Sequence, residues 1–321
     1  FVFDKVITVT IDQAVDYLRF NFCAVTGFIP IESSGVLKDV SRQFLVKPYI
    51  SQSSPIHAML HKSESSNGII KKRFGKNGRG FEKELQYLLT EIDLNNFFWQ
   101  SSEGKKKILQ LEKELQAVTQ LKHSNINRVY SFHIEKKNLT STGDASFNNS
   151  AARKLSKKTE KGSDNKCSWT IRILSEYTPF GTLGDLLTTV PFINTSLARE
   201  WTIQLLEGLE YLHKQGMIHK CLTLDSILIN HPYGMNPTQL KISDPCYGFT
   251  ILDMLANYPN ADQDSDISPF DSWIAPERLP EEGKMKSSKP QRKTDVWDLG
   301  VIAVQMIVGC DIIYEYDSPH E

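Results

Sequence analysis

The chain has 321 residues, 40% of them hydrophobic, and a formal net charge of −1, so it can bury a real core in one large or two modest domains and has no global charge to draw it to nucleic acid or membrane. Its five cysteines (Cys23, Cys167, Cys221, Cys246, Cys310) have no paired spacing, which predicts neither a zinc site nor a disulfide framework and fits a reducing compartment. The strongest apolar run, Val301 to Val308, holds Gln305 and falls well short of the ~20 residues that span a bilayer.

The opening on Phe1 rather than Met predicts a segment of a longer protein. Val6 to Thr10, Tyr17 to Thr26 and Gln43 to Tyr49 are rich in β-branched and aromatic residues and predict three strands, with Ile11 to Val15 turning between the first two. The chain then turns polar from Ile50 to Phe81, as linkers do. Phe81, Leu85, Leu88, Leu89 and Ile92 fall at helical spacing, and a second helix after Gly104 carries the stripe Ile108, Leu111, Leu115, Val118, Leu121, with Glu114 at its margin. Val129 to Ile134 predicts a strand. Residues 136–166 offer almost nothing to bury and predict a disordered insert. Its cations Arg153, Lys154, Lys157, Lys158 and Lys161 read first as a solvated loop and alternatively as an RNA-binding patch.

Trp169 to Tyr177 predicts another strand. A helix capped at Thr195 or Ser196 carries Leu197, Trp201, Leu205, Leu209 and Leu212 and closes at Gly216. Ile227 to Asn230 and Leu240 to Ser243 predict two short strands, and Asp295 to Gly309 a last apolar helix. Strands with one helix, followed by mostly helices, predict an α+β chain of two lobes joined near Glu176.

Five stretches in this order resemble the protein kinase fold. Ile218-His219-Lys220-Cys221-Leu222-Thr223-Leu224-Asp225-Ser226-Ile227-Leu228 resembles the catalytic loop, and Leu240 to Cys246 the strand and metal-binding turn. Trp273-Ile274-Ala275-Pro276-Glu277 is similar to the segment ending in the APE glutamate, and Asp295-Val296-Trp297-Asp298-Leu299-Gly300 to the helix behind it. Glu114-Leu115 with Leu121 to Ile126 resembles the αC helix and its following turn. The implied architecture is a β-rich N-lobe with an αC helix over residues 1–175, with polar inserts at about 50–80 and 136–166. A mainly helical C-lobe would occupy 176–321 and lack its last helices.

The same resemblance implies lost catalysis. A kinase cradles phosphates, holds Mg²⁺ and orients the substrate hydroxyl. Here Cys221 stands for the catalytic Asp, Thr223 for the lysine two positions later, and Ser226 for the metal-binding Asn. A neutral thiol accepts hydrogen bonds poorly, and loss of a general base alone costs ~10²–10⁴ in rate. Asp244-Pro245-Cys246 replaces the packing Phe and flexible Gly of the metal turn, and no glycine loop lies between the first two predicted strands. Gly75 to Gly80 has its glycines in the wrong order and reads as linker. A cysteine nucleophile at Cys221 is a further option beside the plainer buried thiol. His219 reads as structural.

Lys47 resembles the strand lysine and Glu114 its αC partner. With Asp244 they are the candidate residual nucleotide site, so retained ATP stays open although no cofactor and no metal are expected. Strings such as Gln43 to Tyr49, Leu89 to Leu94, Leu111 to Leu115, Leu205 to Glu210 and Pro290 to Asp295 narrow the resemblance to the pseudokinase region of the fungal general-control kinases, which act on the alpha subunit of translation initiation factor two. That resemblance implies a cytoplasmic, non-catalytic allosteric domain inside a serine/threonine kinase. The adjacent active kinase domain of the same protein, needed under amino-acid starvation, would be its partner. A dimer is open, and neither membrane nor direct RNA contact is expected.

Overall fold

The computed structural model describes residues 25–48, 87–138, 167–230, 238–260, 273, 275–278 and 290–312. The strand predicted at Val6 to Thr10, the turn at Ile11 to Val15, the polar stretch 51–81 and residues 139–166 lie outside them.

Five antiparallel strands form the first lobe: β1 (Val25–Ile31), β2 (Arg42–Pro48), β3 (Tyr87–Leu94), β4 (Val129–Asn138) and β5 (Cys167–Glu176). Their order in the sheet is β1-β2-β3-β5-β4. The inversion at the end arises because helix α1 (Ser102–Val118) separates β3 from β4 in the chain. The Ser101 side chain caps α1 by accepting the Gly104 amide. Gly104 is required where it sits, because a Cβ there would lie 2.8 Å from the Trp99 Cα and still closer to the Phe98 carbonyl oxygen. The apolar stripe of α1 buries Ile108, Leu111, Leu115 and Val118 in one core with Ile92, Leu94, Ile171 and Ile173 of the sheet.

That core continues into the second lobe. Helix α2 (Leu183–Thr189) starts at a reciprocal cap between Thr182 and Asp185. Helix α3 (Thr195–Lys214), capped by Asn194, buries Trp201, Leu205, Leu209 and Leu212. Strands β6 (Ile227–Ile229) and β7 (Leu240–Ile242) form a two-stranded ribbon. Helices α4 (Tyr247–Asn257) and α5 (Arg292–Val308) complete the described elements. None of the described helices is long and apolar enough to cross a membrane.

The two-lobed α+β architecture is the predicted one, with two changes of detail. The helix predicted over Phe81 to Ile92 is β3 where it is described. Its residues Leu89, Ile92 and Leu94 are buried, and the whole strand pairs with β5 from Tyr87↔Glu176 to Leu94↔Trp169. A strand with apolar residues on both faces imitates helical spacing. Among the described residues the first strand begins at Val25, at the end of the predicted strand Tyr17 to Thr26, and the predicted strand Gln43 to Tyr49 is β2, described as far as Pro48. Sequence reading gave no element for α2 or α4.

Candidate functional site: a closed interlobe cleft

Asp295, fully buried on α5, sets the loop that follows α3. Its carboxylate accepts the backbone amides of His219 at 2.8 Å and Lys220 at 2.9 Å, and His213 Nε2 lies 2.8 Å from Oδ2. These bonds fix Lys220 at φ +78°, a conformation that favours glycine. His219 packs beneath the loop, its Nε2 2.8 Å from the Ser243 carbonyl oxygen. Burial holds its imidazole below the usual range, which suits the structural role predicted for it.

Cys221 is buried, at 7% exposure, so it is not presented as an accessible nucleophile. Thr223 and Ser226 satisfy one another. The Thr223 amide donates to Ser226 Oγ at 2.9 Å, and that hydroxyl donates to the Thr223 carbonyl at 2.7 Å. The carboxyl of Asp298 accepts the Leu222 amide at 3.3 Å. Its burial pushes it up to about 7. Arg278 donates to the Lys220 carbonyl at 3.2 Å and lies over the Phe249 ring. Glu277 accepts the Thr294 hydroxyl at 3.0 Å.

For the predicted pairing of Lys47 with Glu114, the side chain of Lys47 lies outside the described residues, and the structure gives Glu114 another lysine. Glu114 instead takes Lys220, with Nζ 2.7 Å from Oε1, and accepts the Thr250 hydroxyl on Oε2 at 2.7 Å. Lys220 Nζ also reaches Thr250 Oγ1 at 3.2 Å. Lys47 lies on β2, whereas a kinase carries the phosphate-pairing lysine on the third strand, ahead of αC. The third strand here reads Tyr-Leu-Leu-Thr-Glu-Ile-Asp-Leu and has no lysine; Thr90 lines the cleft from it. Of the three residues predicted for a nucleotide, Asp244 lines the cleft between the lobes, Glu114 is taken up by Lys220 and Thr250, and the side chain of Lys47 lies outside the described residues.

Asp244 is already engaged. Its Oδ1 accepts the Tyr247 hydroxyl at 2.5 Å and its Oδ2 the Ser243 hydroxyl at 2.9 Å. The Tyr247 phenol is buried and held well above its ordinary range, first by burial and then by the Asp244 charge. The connection between β1 and β2 runs through Glu32 to Ser41, and it contains one glycine, Gly35, at φ +84°. Leu37 and Val40 of this loop are buried in the main core. Lys38 pins the loop to the opposite lobe through Asp225 at 2.8 Å, a bond that raises the lysine's pKa. At the junction of the lobes, Lys241 Nζ sits 2.8 and 3.0 Å from the two carboxylate oxygens of Glu176.

The space left in the cleft is about 40 Å³, bounded by Leu37, Thr90, Leu228, Asp244 and Tyr247 among others. Pockets for drug-sized ligands run to ~300–1,000 Å³. Leu37 and Tyr247, from opposite lobes, are among the side chains that narrow this cleft. A larger cavity of about 690 Å³ lies elsewhere, between α1 and β4. Sequence reading missed Lys220, Thr250 and Tyr247. The lysine beside His219 was the one visible signal, because its neighbours already marked the loop.

The protein kinase domain family matches residues 97–320, more than half of the chain. The eIF-2-alpha kinase GCN2 of Schizosaccharomyces pombe is 26% identical over 269 residues, which cover 82% of this chain and 15% of that protein. The mitogen-activated protein kinase kinase kinase mkh1 of Cytospora mali is 32% identical over 139 residues, 43% of this chain and 7% of that protein. A probable inactive serine/threonine-protein kinase of Dictyostelium discoideum is 30% identical over 138 residues, 43% of this chain and 10% of its own length. The chain therefore spans a small part of each of these relatives.

Proposed function

We propose a pseudokinase function for this chain, which belongs to the protein kinase family: it transfers no phosphoryl group and acts by contact on an adjacent serine/threonine kinase domain of the same protein. The observation that carries this reading is the Tyr247 hydroxyl on Asp244, which occupies the carboxylate a kinase reserves for metal and fills the cleft from below. Cys221 at the position of the general base and the absence of lysine from β3 support it from two further sides. The likeness to an eIF-2-alpha kinase over 82% of the chain supports a place in translational control under amino-acid starvation, in the cytoplasm, where translation runs. The domain would bias its neighbour's inactive–active equilibrium, a coupling that is typically ~1–3 kcal/mol.

Two measurements test the reading. The first is thermal unfolding of the 321-residue chain with and without millimolar ATP and Mg²⁺, run beside a label-transfer assay. No shift and no transfer are expected; a ligand at a hundred times its Kd would add ~2.7 kcal/mol, and that shift, or any transferred label, overturns the reading. The second compares phosphorylation of the initiation-factor alpha subunit by the longer protein with and without this domain. Loss of phosphorylation is expected, and unchanged phosphorylation would remove the allosteric role.

A further inference from the structure

We propose that α4 is a latch, an 11-residue lever held at three points whose release opens the cleft at one end when it is loosened at the other. At its first residue Tyr247 fills the cleft and donates to Asp244. One turn on, Thr250 donates to Glu114 of α1 and accepts from Lys220. Just past its last turn, Tyr258 stacks on Phe98 with ring centroids 3.5 Å apart and planes at 3°, and meets Trp99 edge-on. The chain that follows is sewn to the sheet lobe. Asn96 donates to the Pro259 carbonyl at 2.9 Å, the Asn95 amide to Asn260 Oδ1 at 2.7 Å, and Asn260 Nδ2 to the Asp93 carbonyl at 2.8 Å.

The far tether thus grips the β3–α1 connection, while the near tether plugs the space between the lobes. They are separated by the length of the helix, about 16 Å at 1.5 Å per residue. A helix transmits displacement along its axis because its backbone bonds are internal, so the two ends move together. The turn that enters the latch is under strain: Asp244 sits at φ +51° and Cys246 at φ +64°, on either side of Pro245. That turn persists because its neighbours hold it, and loosening them favours release. The middle tether makes α1 a party to the same motion, since Glu114 binds the latch and the catalytic-type loop at once.

The protein carries its own reporter. Cys246 is 5% exposed at the base of the latch, and burial pushes its thiol up to about 12, so it stays unreactive while the latch is closed. The test is the rate of N-ethylmaleimide labelling of Cys246, read by peptide mass spectrometry, in the wild-type chain and in Tyr258→Ala/Asn260→Ala. Hydrogen exchange of α3 in the same samples reports global unfolding. Removing the stack and two hydrogen bonds at the far end should speed Cys246 labelling about tenfold or more with α3 exchange unchanged. Asn260→Ala alone, which leaves the rings in place and preserves folding, should give a smaller rise. Unchanged labelling of Cys246 in both variants would mean that the helix only frays at its end, and equal acceleration at α3 would mean that no separate latch exists; either overturns the proposal. The latch rests on the closed-cleft reading above. Because the assay uses neither nucleotide nor partner kinase, its failure would leave that reading standing.

Discussion

Replacing Glu114 by Gln and Lys220 by Met, singly and together, measures whether the αC-type glutamate is held by the loop lysine. The two side chains meet at 2.7 Å with 18% and 21% of their surfaces exposed, respectively. Exposed pairs contribute ~0.2–1 kcal/mol, and removing one partner of a fully buried pair costs ~3–5 kcal/mol. A pair buried to this degree, and sharing Thr250, should show a coupling of ~1–2 kcal/mol in the double-mutant cycle. Each single change should cost about as much, which is ~2–4 °C in Tm per kcal/mol for a domain somewhat smaller than this one. Met keeps the stem of Lys220 and the same backbone penalty at its φ of +78°, so only the ammonium is removed. Urea unfolding of the four proteins supplies the cycle. A parallel cycle between Glu114 and Lys47→Ala should give less than ~0.5 kcal/mol, within the additivity of independent sites. A strong coupling to Lys47 with none to Lys220 would refute the arrangement and restore the pairing expected from sequence.

Asp298→Asn tests the half-buried carboxyl behind the loop. Burial raises Asp298 to about 7; the Leu222 amide and Arg278 oppose the rise, and Asp295 and Glu277 add to it. Since its unfolded value is ~3.9, the folded chain holds the proton more tightly, and stability falls as pH rises from about 4 to about 7, then levels. His219, held below its usual range by burial, acts in the opposite sense below about 6.5. The difference between variant and wild type isolates Asp298, and denaturation from pH 4 to pH 8 should show the Asn variant gaining ~1–3 kcal/mol relative to wild type. A flat difference would refute the assignment. Cys221→Asp should not restore label transfer from ATP, because β3 still has no lysine and Tyr247 still fills the cleft; measurable transfer would contradict the closed site. Gly104→Ala should destabilise the chain by ~1–3 kcal/mol in urea despite the better helix propensity of Ala, since its Cβ would overlap the Phe98 carbonyl and crowd Trp99.

Residue identity alone carries the proposal that the catalytic loop lacks its chemistry, because what Cys221, Thr223 and Ser226 can do to a proton or a metal depends on the side chains themselves. The stripe of α1, the strands β4 and β5 and the long helix α3 were also legible, since each repeats one period over enough residues to exclude the other. β3 was not legible: Leu88 and Leu89 follow one another, and only pairing with β2 and β5 shows that they face opposite sides of a sheet. Nor could the sequence choose a partner for Glu114. Lys220 reaches it at 2.7 Å across 106 positions of chain because the Asp295 anchor holds the loop there. The closure of the cleft belongs to the same class. Tyr247 and Leu37 are ordinary core residues by composition, and they become a plug because the fold delivers a helix start and a loop to one space from opposite lobes. Local chemistry follows from the order of residues, whereas proximity between distant charges and the filling of a cavity are properties of the packed chain.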